Sequence, residues 1–233
     1  MKTYSEILCF LLFSITFSSF GQKISETNFA LGISKLSSSE FWHHWDGNPP
    51  TYLTFNATKS WYNNNHRISL RKELGLNLQY SSIGIGGGGL GGGSYSSGNI
   101  TSLFADVSLL ANIQINKRLA FCVGPEAELL LIGNTNVTND WYYYSSPHPM
   151  SGSTHEHGIN RDYFNQPAYG IKARLYESGI TEKVTIGLAF SYLWTKSEDS
   201  NFYASNYTRI SLCIGFTKQE KELPAEPQIE QLK

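Results

Sequence analysis

Ionisable residues are sparse in this chain: 16% of its 233 residues are charged, against roughly 25% in a typical soluble domain. Eight of them are conspicuous by position. Arg71, Lys172, Arg174 and Arg209 supply four cations, and Glu73, Asp106, Glu126 and Glu128 supply four carboxylates. All eight stand in segments that alternate between large apolar and small residues, and all fall on the small, polar parity. Such a set could conduct protons or perform acid–base chemistry. It could also be an interior that neutralises itself, since a charge that leaves water must be paired to avoid a large desolvation cost. Equal numbers of both signs predict the second, a structural network with no catalytic residue.

Other residue groups that could do chemistry are confined to connections. His155-Glu156-His157, with His148 and Asp162 nearby, has the imidazole and carboxylate types that suit zinc. A long connection gives them no fixed geometry, so neither a metal nor a cofactor is expected. His43, His44 and Asp46 lie near Ser37, Ser38 and Ser39, but no segment carries a His–Ser pair on the large-residue parity. The run 84–93 is glycine except at Ile85 and Leu90. It lacks the Lys-Ser/Thr and the following helix of a phosphate loop and reads as a surface loop. Trp141, Tyr142, Tyr143 and Tyr144 form an aromatic run of the kind that anchors carbohydrate or protein partners, and are the candidate binding residues. Cys122 and Cys213 fall about three strands apart and are expected to remain unbonded, because a disulfide needs Cα atoms within about 7 Å.

The elements that must position these residues are strands. From Ile68 to Tyr80 one parity reads Ile68, Leu70, Lys72, Leu74, Leu76, Leu78, Tyr80. A second segment reads Val184, Ile186, Leu188, Phe190, Tyr192, Trp194, and a third Ile210, Leu212, Ile214, Phe216. Period two over such lengths excludes a helix. Eight segments follow: 28–36, 52–62, 66–82, 100–116, 118–133, 167–177, 183–196 and 207–218. Their connections alternate. Those at 37–51, 82–99, 134–166 and 197–206 are long, whereas 63–65, 116–117 and 178–182 are short and rich in Asn or Gly, the chemistry of tight hairpins.

An even strand count, with one end short-looped and the other long-looped, closing on Ile210-Ser211-Leu212-Cys213-Ile214-Gly215-Phe216, resembles the eight-stranded outer-membrane barrels, over roughly residues 23–218. The resemblance implies an all-β fold: a closed, eight-stranded, antiparallel, up-and-down transmembrane β-barrel. The polar parity agrees, since it is mostly Gly, Ala, Ser, Thr and Asn, where a water-exposed face would carry many charges. The large parity then faces lipid. Lys59 and Lys72 stand against this, and Lys72 calls for either a hairpin reaching below the membrane or a bulge. Trp61, Tyr62, Tyr80, Tyr192 and Trp194 lie near the two ends of their segments, where interfacial girdles form.

Residues 1–21 read as a secretory signal, with Lys2 ahead of an apolar stretch and Ser19-Phe20-Gly21 before the cut. Residues 22–218 form the barrel, and 219–233 a polar, disordered periplasmic tail. A net charge of -1 excludes a nucleic-acid binder that works by a basic surface. The expectation is a non-enzymatic outer-membrane protein with a structural, surface-binding or complex-accessory role through its long loops. Its partners are outer-membrane lipid and lipopolysaccharide, with an extracellular ligand or a larger membrane complex beyond them. Two other classes stay open: a lipid A-modifying enzyme, and a secreted soluble barrel that binds an apolar ligand.

Overall fold

A computed structural model describes residues 24–37, 51–63, 67–89, 91–144, 150–158, 167–178, 183–195 and 206–219. The signal, the tail beyond residue 219, His43, His44, His66, His148 and Asp162 lie outside them. Among the described residues there are nine strands: β1 (Ile24–Ser37), β2 (Thr51–Tyr62), β3 (Ile68–Gly89), β4 (Gly92–Gln114), β5 (Leu119–Tyr143), β6 (Met150–Gly158), β7 (Ala168–Ser178), β8 (Val184–Thr195) and β9 (Asn206–Gln219). Eight of them close a ring in the order β1-β2-β3-β4-β5-β7-β8-β9, every neighbour antiparallel, and β9 returns to β1 from Ile24↔Gln219 to Ser37↔Asn206. Full closure satisfies every ladder, which a sheet in hydrocarbon requires.

Parity sorts the residues as the alternation demands. On the outside Leu31, Leu53, Leu76, Leu188 and Leu212 are about half exposed, and Phe29, Phe55 and Phe216 join them. Inside, Asn28, Thr58, Asn77, Ser102, Ser191 and Ser211 are buried with the charges. An apolar wall around a polar interior is unstable in water and stable in a bilayer, which overturns the soluble-barrel alternative. Lys72 sits on the outward parity between Trp61 of β2 and Leu109 of β4, and no register shift occurs there. Of the two explanations left open for Lys72, the bulge is therefore absent, and Lys72 is only 6% exposed. The register shift that does occur lies between Leu103 and Phe104, opposite β5. Lys59 donates to Thr27 Oγ1 at 3.3 Å.

Two connections are not loops. β3 and β4 stay in register from Ile68↔Ile113 up to Gly89↔Gly92, so the glycines at 84–89 and 92–93 are in strand. β5 likewise continues to Tyr143 and folds back as β6, the ninth strand, which pairs with β5 from Thr135↔Gly158 to Tyr143↔Met150. The upper parts of β3, β4 and β5, with β6, form a four-stranded sheet standing above the long-loop end of the ring. Glycine normally weakens a strand. Here neighbouring strands compensate, because the Tyr95 ring lies against Gly84 and Gly86, Tyr142 against Gly88 and Gly93, and Trp141 against Gly152. A side chain at any of these glycines would displace a ring. At Gly92 and Gly98 the backbone adds its own demand, with φ of 150° and 156°, which only glycine adopts readily.

Candidate functional site

The ring places two groups of functional side chains, one in the lumen and one on the upper sheet. In the lumen, Arg71 (β3) is fully buried and meets Glu26 (β1) at 3.0 Å and Glu73 (β3) at 2.7 Å. Its third nitrogen donates to Ser60 Oγ at 2.7 Å. The guanidinium also stacks against the rings of Tyr62 and Tyr176, 4.7 and 5.2 Å from their centroids. Arg174 (β7) closes the same group from the opposite wall, 3.0 Å from Glu26 and 3.5 Å from Glu73, and donates to Asn28 Oδ1 at 2.6 Å.

A second group lies towards the long-loop end. Arg209 (β9) meets Glu128 (β5) at 2.7 Å, and Glu128 also accepts from Asn77 Nδ2 at 3.2 Å and from the Tyr207 hydroxyl. Asp106 (β4) accepts from the amide of Asn56 (β2). Lys172 (β7) joins the two groups, with Nζ 3.0 Å from Glu73 and 3.2 Å from Glu126. All eight charged residues singled out by parity are thus buried in one lumen, none more than 7% exposed.

Sequence reasoning missed Glu26, which is 0% exposed and bound to two arginines. The first strand begins four residues earlier than the alternation suggested, and Glu26 shares the parity of Asn28. Its inclusion changes the expected balance of four to four into five carboxylates against four cations. A second correction concerns Tyr62. It belongs to no girdle but points inward, 2% exposed, and donates to Glu26 at 2.9 Å. Tyr80, Tyr192 and Trp194 do face outward and are roughly two-fifths exposed.

Asp106, Glu126 and Glu128 bring carboxylate oxygens within 4.8 Å of one another and are the described residues best able to hold a cation. Lys172 and Arg209 already meet Glu126 and Glu128. Glu73, Lys172, Arg174 and Arg209 are among the residues that line a cavity of about 30 Å³, room for roughly one water molecule. Among the described residues, ion pairs across the lumen link β1, β3, β5, β7 and β9.

The upper sheet has two faces. Its outward face continues the lipid-facing parity and carries Tyr95, Ser97 and Asn99 on β4, Asn136, Thr138, Asp140 and Tyr142 on β5, and Ser151, Ser153, His155 and His157 on β6. Trp141 and Tyr143 share the other face with Met150 and Gly152. The aromatic run is therefore split: Trp141 packs on Tyr143 at 5.6 Å, and Tyr142 on Tyr144 at 5.2 Å. β6 also corrects the expectation that no strand carries His and Ser on the outward parity. His155 and His157 stand with parallel rings 6.4 Å apart, and the partner of His155 Nδ1 is Thr138 Oγ1 at 3.0 Å. Glu156 pairs with the opposite parity, in register with Val137.

No family model matches the chain, and no curated protein matches it in sequence. Among solved structures it is similar to Neisserial surface protein A, at 7% identity over 83% of this chain and 95% of that one, with a TM-score of 0.44. It is also similar to Ail, the attachment invasion locus protein of Yersinia pestis, at 13% identity over 85% of this chain and 100% of that one, with a TM-score of 0.41. An outer membrane channel from Pseudomonas putida F1 matches at 8% identity and a TM-score of 0.33, over 86% and 97% of the two chains. Likeness this distant leaves the chain's own geometry to decide. Because only hydrocarbon can cover its wall, and only ring closure can satisfy its strands there, this protein is an eight-stranded transmembrane β-barrel.

Proposed function

We propose that this barrel is a non-enzymatic surface protein of the outer membrane, which engages a partner through the four-stranded sheet above its wall. The observation that carries this reading is the continuation of β3, β4 and β5 well past the outward ring of Tyr80, Tyr192 and Trp194. The wall needs no such extension, because β2 meets β3 only as far as Tyr80 and β7 meets β5 only as far as Glu128. Strand built beyond the membrane's requirement, and faced with exposed aromatic rings, has the composition of a recognition surface.

A photocrosslinking residue placed at Tyr142 in intact cells is expected to give one discrete product, while the same residue at Leu76 on the wall gives only lipid. A smear without a discrete species at Tyr142 would defeat the reading. The enzyme alternative has its own test. Lipid A mass spectra with and without the gene are expected to coincide, and an acyl-chain change that disappears on His155→Ala would replace this proposal with an enzymatic one.

A further inference from the structure

We propose that the outward face of the upper sheet binds the neutral oligosaccharide headgroup of glycolipid in the same membrane. This rests on the surface-binding reading above and names the partner of that surface. The face is a direct continuation of the lipid-facing wall: β3 and β4 keep one register from Leu70 to Gly89, without a shift that would exchange their faces. Where the wall ends, Tyr80 donates to Asn99 Oδ1 at 3.0 Å, and the outward parity turns from apolar to polar. β3 runs nine residues beyond Tyr80, about 30 Å of strand at roughly 3.3 Å per residue. Whatever headgroups surround the barrel therefore stand against this face.

Its chemistry fits sugar. Tyr95 and Tyr142 are 49% and 41% exposed, and glycines beside them, Gly84 and Gly86 for one and Gly88 and Gly93 for the other, leave the rings no taller neighbour on that side. A flat ring with a negative π-face attracts the C–H edges of a pyranose. Around the rings stand hydroxyls and amides, Ser97, Asn99, Asn136, Thr138, Ser151 and Ser153, which can donate to and accept from sugar hydroxyls. Among the described residues of this face there is no Lys or Arg, and Asp140 is the one carboxylate. Phosphate recognition calls for cations, so the face is fitted to uncharged sugar rather than to phosphate.

The test uses the full barrel in phosphatidylcholine nanodiscs with ring-labelled tyrosine. Three probes are added: lipopolysaccharide whose core oligosaccharide ends in uncharged hexoses, lipid A without that core, and the free core oligosaccharide. Core-bearing lipopolysaccharide is expected to shift the Tyr95 and Tyr142 resonances. Lipid A is expected to leave them in place, and the free core to bind at least tenfold more weakly. Tyr95→Ala and Tyr142→Ala should each weaken association tenfold or more, whereas Met150→Ala, on the opposite face, should not. Equal shifts with lipid A, or equal weakening by Met150→Ala, overturn the proposal. Free core that binds as tightly as the lipid-linked form would make the ligand a soluble glycan and overturn it as well. A discrete crosslink at Tyr142 with no core-dependent shift would sink this proposal while leaving the broader surface-binding reading intact.

Discussion

Arg71 shows how much one lumen side chain can hold. It is fully buried, bridges Glu26 and Glu73, and lies between two tyrosine rings. Removing one partner of a buried ion pair typically costs about 3–5 kcal/mol, because the charge left behind stays desolvated. Arg71→Met is therefore expected to lower the unfolding free energy by that amount, read from denaturant unfolding in lipid vesicles. Combining it with Glu26→Gln should return part of the loss. A single variant within about 1 kcal/mol of the parent would show that the network contributes little. Eight of the nine lumen charges were legible in the sequence, because period two assigns a face to every residue of a strand. Glu26 was not, for it precedes the clear alternation by two residues. Tyr62 was misread for a related reason: being next to Trp61 in sequence puts it on the opposite face of the sheet.

Among the elements, the wall strands were legible and the upper sheet was not. A wall strand advertises itself, since lipid selects one parity and the lumen selects the other. The upper sheet has no such contrast. In β3 the evidence for strand lies in Tyr95 and Tyr142 on other strands, whose rings cover Gly86 and Gly88, and a reading that takes one segment at a time sees only glycine. The two layers should also be separable. Replacing residues 83–98 by Asn-Gly, together with removal of residues 136–157, cuts the chain above the level where β2 and β7 join the ring. The shortened protein is expected to keep its heat-modifiable migration in detergent. Failure to form a heat-modifiable barrel would mean that the upper sheet is part of the folding unit.

Taken whole, the molecule is a filled cylinder. Eight strands enclose an interior just wide enough for side chains, and charged residues bridge it from β1 to β7 and from β9 to β5. The cavity of about 30 Å³ between Lys172, Arg174 and Arg209 is no passage for a solute. Vesicles carrying the protein are expected to retain glucose as well as protein-free vesicles do, by a swelling assay. Rapid glucose entry would require the network to open.

The partners of Glu26 have a consequence for assembly. This residue stands near the beginning of the ring, yet it accepts from Arg71, Arg174 and Thr185, which lie 45, 148 and 159 positions away in the chain. Arg71 can reach it once β3 is in place, but Arg174 and Thr185 arrive only when most of the polypeptide is in place. A barrel that stops before β7 would leave Glu26 with one of its two arginines and one oxygen unsatisfied where lipid could reach it, at a cost of kilocalories rather than tenths. Completion is therefore favoured over any intermediate, and the charge network acts as a timing device, penalising every product that stops before the last strands have arrived.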